Sequence, residues 1–205
     1  NYHLIYDEYK QLSNVIFDTK INTKEVIELY KQAPHGSVKQ QAIIREKLYA
    51  MLKPTYELLQ DHNIKQLHFH LPSNDSFLRF HRPNKFGDNL ANARATIQYV
   101  NENKKPIDGF EEGRIYNGYR FVYPLFDNET HIGSVEVSFS TFAMSMEMIT
   151  NFEVMSKFLI SKKVVSEKVF QEEKGNYTQS KFEDFYYETK LDDALQVYNK
   201  NNIKL

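Results

Sequence analysis

The residues best able to do chemistry cluster in one run, LHFHLPSNDSFLRFHRPNKFGDNL, from Leu67 to Leu90. His68 and His70 are two apart in a strand pattern, so both rings fall on one face while Leu67, Phe69 and Leu71 take the other. Arg79, His81 and Arg82 follow in a segment read as a loop after the turn Pro72 to Asp75. A guanidinium fork beside an imidazole matches a carboxylate or similar small anion. The competing structural reading is that Arg79 pairs with Asp75 or Asp88 and holds the loop. His68, His70 and His81 could together ligate zinc. However, closed zinc sites take four ligands at recognisable spacings, and catalytic ones often use a helical H-E-x-x-H; the chain has neither, so no metal and no cofactor is expected.

Further along, Tyr119 and Tyr123 share one face of a strand and offer hydroxyls over an apolar base, which suits a small ligand with a polar end; core packing is the plainer reading. Glu136 sits in the polar row Ser134, Glu136 and Ser138, where a carboxylate needs solvent or a partner, and it is a candidate pocket acid. The glycines fall at strand starts and turns and lack the spacing of nucleotide loops. No G-x-S-x-G turn is present, and Glu111-Glu112 reads as a solvated strand edge. No enzyme activity is expected.

These residues need elements to position them. Apolar spacings of three and four predict a helix from Tyr2 to Lys20 through Leu4, Ile5, Tyr9, Leu12, Val15 and Ile16, and a second through Val26, Ile27 and Tyr30. A third opens at Ser37 and runs through Ile43, Ile44, Leu48, Met51 and Leu52 to Leu59, kinked at Pro54. The strand at 64 to 71 comes next, then a helix from Ala91 to Asn103 capped by Asp88 or Asn89. GFEEGRI, GYRFVYPLF and HIGSVEVSFS read as three successive strands with turns at Tyr116 to Gly118 and Asp127 to Thr130. Beyond Ser140 the pattern gives a Met-rich helix, a β-rich run from Lys157 to Val165, a polar aromatic segment and a short helix from Leu191 to Asn199. That is too little regular structure for a full second sheet.

Composition narrows the function classes. With 26 basic and 27 acidic residues there is no concentrated positive surface, which argues against nucleic acid. The absence of cysteine removes disulfides and thiol chemistry. No apolar run approaches the ~20 residues of a membrane helix.

The combination I-K-Q-L-H-F-H-L at 64 to 71, F-L-R-F-H-R-P at 77 to 83, G-D-N-L at 87 to 90, G-F-E-E-G-R at 109 to 114, Y-R-F-V-Y-P-L at 119 to 125 and I-G-S-V-E-V at 132 to 137 resembles the extracytoplasmic double-Cache (PAS-like) sensor domains of bacterial transmembrane receptors. The resemblance implies an α+β fold: an antiparallel sheet of about five strands, preceded by long N-terminal helices and followed by a partial second module. It divides the chain into a helical region at 1–63, a ligand-binding module at 64–145 and a C-terminal segment at 146–205. It further implies a periplasmic or extracellular location on an inner-membrane protein anchored by flanking helices, a small carboxylate or amino acid as ligand, and a histidine kinase, chemoreceptor or diguanylate cyclase as output. Arg79 and His81 would take the anion by this resemblance, with the loop from Ser73 to Asp88 closing over the sheet. The alternatives are a ligand-free module for homodimerisation or protein contact, and a metal-dependent hydrolase using the three histidines.

Overall fold

The computed structural model describes residues 1–115 and 117–202, with side chains described through residue 199; the Tyr116 end of the turn expected at 116 to 118 lies outside the described residues. Helix α1 (Tyr2–Ile16) buries Ile5, Tyr9, Ser13 and Ile16 at spacings of three and four, while Leu4 and Val15 face solvent. A π-helical turn at Phe17–Ile21 follows. Thr23 starts α2 (Lys24–Tyr30) by accepting a hydrogen bond from the Val26 N–H. Ser37 and Gln40 form a capping box at the head of α3 (Val38–Asp61), which runs as one helix through Pro54. Its buried stripe is Ile44, Leu48, Leu52, Tyr56 and Leu59, spaced by four, four, four and three, as a helix lying against a sheet requires.

Strands β1 (Ile64–His70), β2 (Ser76–Arg79), β3 (Ile107–Glu112), β4 (Asn117–Asp127) and β5 (Thr130–Phe139) form a five-stranded sheet in the order β2-β1-β5-β4-β3. Antiparallel pairing joins β1 to β2, β1 to β5 and β4 to β5. Asn128 takes a left-handed conformation in the tight turn between β4 and β5, a role asparagine fills at little cost. Helix α4 (Ala95–Asn103) lies between β2 and β3 in sequence and ends at Lys104, also left-handed.

The helix expected from Ala91 thus starts four residues later. Asp88 is taken by Arg79, and the Asn89 side chain holds the Ser73 carbonyl and Asp75 while accepting from Ala91 N–H, so neither caps α4. Arg94 sits at the helix start instead.

Two units can be distinguished by their internal packing. One contains Glu8–Glu111 and Tyr119–Phe139, and so most of the N-terminal helices and the five-stranded sheet. The other contains Asn1–Asp7, Glu112–Gly118 and Ser140–Leu205. In the second unit, Ser140 caps α5 (Thr141–Phe152), and β6 (Ile160–Ser161), β7 (Tyr177–Gln179) and β8 (Phe185–Glu188) form a small sheet in the order β6-β8-β7. Helices α6 (Lys162–Lys168) and α7 (Thr189–Asn202) complete it. The β-rich run expected at 157 to 165 is therefore two strand residues and the start of a helix. The polar aromatic segment supplies the other two strands. Ile149 packs with Leu191 and Leu195, the spacing of four that marked the terminal helix, and Ile160, Val165 and Val169 form a second small core. Among the described residues no helix is long and apolar enough to cross a membrane.

Candidate functional site

Strand alternation gives the five-stranded sheet two unlike faces. Leu67, Phe69, Phe121, Tyr123, Val135, Val137 and Phe139 lie on the helix side, where Tyr9 stacks on Phe139 at 3.9 Å, Phe17 on Tyr123 at 4.4 Å, and Tyr30 meets Phe69 at 5.4 Å. The register pairs His68 with Glu136 and with Arg79, Gln66 with Ser138, and Arg120 with Ser138, which places these side chains together on the opposite face.

That opposite face is polar and buried. Glu136 is fully enclosed; its Oε1 accepts from Arg120 Nη1 at 2.7 Å, and its Oε2 accepts from Arg94 Nη2. Arg120 also donates to Ser138 Oγ at 3.1 Å, and Arg94 Nε donates to Glu111 Oε2 at 2.6 Å. Glu111 in turn accepts from the Thr96 N–H and hydroxyl, which locks the first turn of α4 to β3. Burial alone would push Glu136 upward, but Arg94 and then Arg120 hold its carboxyl well below the usual range. Burial likewise works against the charge on Arg94, yet Glu136 and Glu111 keep it above its ordinary value. The network is a chain of alternating charges, Glu111, Arg94, Glu136 and Arg120, each neutralised by its neighbour.

Two imidazoles border this chain. His68 and His70 are both buried, with ring centroids 4.0 Å apart. His68 Nε2 shares a hydrogen bond with Ser76 Oγ at 2.8 Å, and His70 Nδ1 shares one with Ser134 Oγ at 3.1 Å. The other nitrogens, His68 Nδ1 and His70 Nε2, have no hydrogen-bond partner. Burial drives both pKa values down, that of His70 to about 3, so both rings are neutral at physiological pH. His81, half-buried after β2, is likewise held at about 3 by burial and by the charge of Arg79.

The predicted residues thus divide. His68, His70 and Glu136 come together on the polar face, and Arg79 lies beside His68 in the register. Arg79 is a strand residue rather than a loop residue, and it is committed: Nη1 and Nη2 donate to the two oxygens of Asp88 at 2.7 and 2.9 Å, and Nη1 also donates to the Lys85 carbonyl. Of the two readings raised from the sequence, the geometry is that of the Asp88 clamp, which ties β2 to the segment that follows. Arg82 is half-buried in the turn after β2, its N–H bonded to the Arg79 carbonyl.

Tyr119 and Tyr123 belong to the helix side and cannot reach the polar face, because side chains two apart from Phe121 share its direction. Tyr119 stacks on Phe139 at 4.8 Å, and the Tyr123 hydroxyl donates to Asn14. Glu111 and Glu112 are buried rather than solvated.

Donor atoms of His68, His70 and Glu136 lie within 4.8 Å of one another, so a metal ion must be weighed. Both Glu136 oxygens are already held by guanidinium groups; Arg94 and Arg79 bear electrostatically on both rings, and Arg120 bears on His70. A cation there would have to break both ion pairs and stand among positive charges.

Sequence reasoning missed Arg94, Arg120 and Glu111. Arg120 was within reach, since alternation puts it and Glu136 on the same side of paired strands. Arg94 had no local signal, because it lay inside an expected helix and its partner Glu136 is 42 residues away.

The fold finds counterparts among known proteins. Residues 33–203 match the family model dCache_3, the double sensory domain of two-component sensor kinase. Among solved structures the chain is similar to the sensor domain of the Vibrio cholerae histidine kinase DctB, with 15% identity and a TM-score of 0.54 over 77% of this chain and 56% of that one. It also matches the ligand-binding domain of the Campylobacter jejuni chemoreceptor Tlp3, solved in complex with 4-methylisoleucine, with 12% identity and a TM-score of 0.43 over 75% of this chain and 63% of that one. The chain spans little more than half the length of the first of these. Among curated proteins none matches the chain. A match extending over residues 33–203, together with the helix-backed five-stranded sheet, establishes that this chain belongs to the dCache_3 family of double sensory domains.

Proposed function

We propose that this is the extracytoplasmic sensory domain of a bacterial transmembrane receptor, and that it binds a small anionic metabolite on the polar face of its five-stranded sheet. The observation that carries the reading is the buried layer of Arg94, Arg120, Glu136, His68 and His70, in which two imidazole nitrogens have no partner. Buried polar atoms are seldom left unsatisfied, and a bound small molecule is one way to satisfy them. Family membership supports the sensory role, and the enclosure of the layer favours a small molecule over a macromolecule.

In this reading the ligand-binding module falls within 64–145, backed by the helices of 1–63, and 146–205 is part of a second, membrane-proximal module. His68, His70 and Glu136 remain ligand-facing. Arg79 and Asp88 hold β2 and the segment after it together, with His81 and Arg82 in the turn that follows β2. Arg94 takes the role that the resemblance implied for Arg79. Occupancy would shift the helices only through a difference in ligand affinity between two states of the domain.

Thermal-shift titration with small carboxylates and amino acids tests this. The wild type should be stabilised by at least one of them, and His70→Gln, which keeps a neutral polar side chain, should lose that stabilisation. Equal stabilisation of wild type, His70→Gln and Arg94→Lys would refute the site.

A second reading, homodimerisation, draws on the exposed stripe Ile43, Met51 and Leu58 along one face of α3. Light scattering on wild type and Met51→Glu decides it: a dimer converted to monomer by the substitution supports this reading.

A further inference from the structure

We infer that the second unit carries a binding site of its own, for a small anion with an aliphatic or aromatic body, its charge received by Lys181 and its body lying against Met155, Leu159, Phe182 and Leu195. No residue of the polar sheet face takes part.

The site is a concavity of about 390 Å³ lined by the segment that follows α5, the β7–β8 turn, β8 and α7. That volume falls in the range of small-molecule pockets, roughly 300 to 1,000 Å³. Local structure builds its walls. On α7, Leu195 and Asn199 are four apart and share a helix face, and Leu195 is anchored in the core it forms with Ile149 and Leu191. On β8, alternation sends Tyr186 to the Ile160, Val165 and Val169 core and Tyr187 to the pocket. The β7–β8 turn is pinned, since Ser180 Oγ accepts from the Phe182 N–H at 3.0 Å and donates to the Phe182 carbonyl at 2.8 Å. Lys181 and Phe182 are therefore presented by a held backbone.

The apolar lining is nonetheless left open. Met155, Leu159 and Phe182 are 48, 42 and 46% exposed, beside a covered Leu195. An apolar body seated there would take that surface out of water. Charge fixes the sign of its other end, because the lining holds two lysines and no acid. Lys157 is neutralised: its Nζ donates to Asp192 and lies 4.8 Å from the centre of the Tyr187 ring. Lys181 Nζ lies 5.1 Å over the Phe182 ring and has no carboxylate partner among the described residues. Glu183 and Asp184, next in the turn, do not line the pocket. One uncompensated positive charge beside an apolar wall calls for one negative charge on an apolar body.

Octanoate, 3-phenylpropionate, acetate and octylamine are titrated against the wild-type protein, with calorimetry and the ¹³C-methyl spectrum of methionine as readouts. Met155 is the one of the chain's five methionines that lines the pocket, and Met155→Leu identifies its resonance. Octanoate or 3-phenylpropionate should move that resonance and leave Met51, on α3, in place. Acetate, which lacks the body, and octylamine, of opposite charge, should bind ten-fold or more weakly. Lys181→Gln should weaken the better anion about five-fold and Lys181→Glu ten-fold or more. The side chain is exposed, so both variants should melt near the wild-type temperature. Unchanged affinity in Lys181→Glu, equal binding of octylamine, or equal shifts at Met51 and Met155 would overturn the inference. So would a Met155 resonance that moves with protein concentration alone, which would give the pocket to a second copy of the chain. A response to phosphatidylglycerol vesicles without any to the free anions would likewise overturn it in favour of a membrane surface.

Discussion

The two faces of the five-stranded sheet are built from the same strands and are equally dry, yet they are held together by opposite means. The helix side is a mosaic of aromatic rings, with Tyr9, Phe17 and Tyr30 packed on Phe139, Tyr123 and Phe69. It tolerates neighbours of similar volume, since dispersion and hydrophobic burial are not directional. The far side is a closed circuit of charges in which each member is tolerable only because of the next. The first design stabilises; the second is costly to keep and gains nothing over a well-packed apolar layer.

Substitutions on and between the faces probe that contrast. The largest effect is expected at Gly133, whose φ of +141° few other residues adopt and where an added Cβ would lie 2.3 Å from the His70 carbonyl oxygen. Gly133→Ala should destabilise by about 4 kcal/mol or more, or prevent folding, as read by chemical denaturation. On the polar face, Glu136→Gln leaves two buried guanidinium groups facing a neutral amide and should cost about 3–5 kcal/mol, a loss matched on the other side by Phe69→Ala. Replacing Arg94, Glu111, Arg120 and Glu136 together with apolar residues of similar size should return stability to near the wild-type value while abolishing ligand binding. A protein that still binds after this replacement would show the layer to be purely structural.

Acid should set the faces further apart. The folded pKa of His70 and His81 is about 3 against 6.5 unfolded, and that of His68 lies well below 6.5 too. The unfolded chain therefore binds more protons between those limits, and stability rises with pH through the window. Each histidine contributes a slope of about 1.4 kcal/mol per pH unit there. Denaturant unfolding curves from pH 7 to 4 should show stability declining toward the acid end, with a shallower decline in His70→Gln. The smallest effect is expected at Tyr30→Phe, which removes a 2.8 Å hydrogen bond to the His70 carbonyl and should cost about 1 kcal/mol.

Much of the fold could be read from period alone. The buried stripe of α3 and the strands β1, β4 and β5 stand close to where apolar spacing put them, because each buries one side against a continuous partner layer. Local chemistry misled where a side chain was recruited from afar: Asp88 looked like a helix cap until Arg79 claimed it, and Glu111 looked solvated until Arg94 reached it. His68, His70 and Glu136 were legible as a set because alternation fixes a face. Tyr119 and Tyr123 share one strand face opposite Arg120, as alternation requires, and the register turns that face to the helix side, away from Glu136. Of the β-rich run at 157 to 165 only β6 is a strand, and β7 and β8 left no signal because three and four residues cannot display a period.

His70 takes part in both sides of the sheet. Its ring belongs to the polar layer, while its carbonyl oxygen accepts the Tyr30 hydroxyl from α2, and Gly133 lets β5 come close enough to seal that junction. The ring in the polar layer and the anchor for a helix behind the sheet thus belong to one residue. On the proposed reading, the group that would meet a ligand and the group that anchors α2 sit on the same backbone unit.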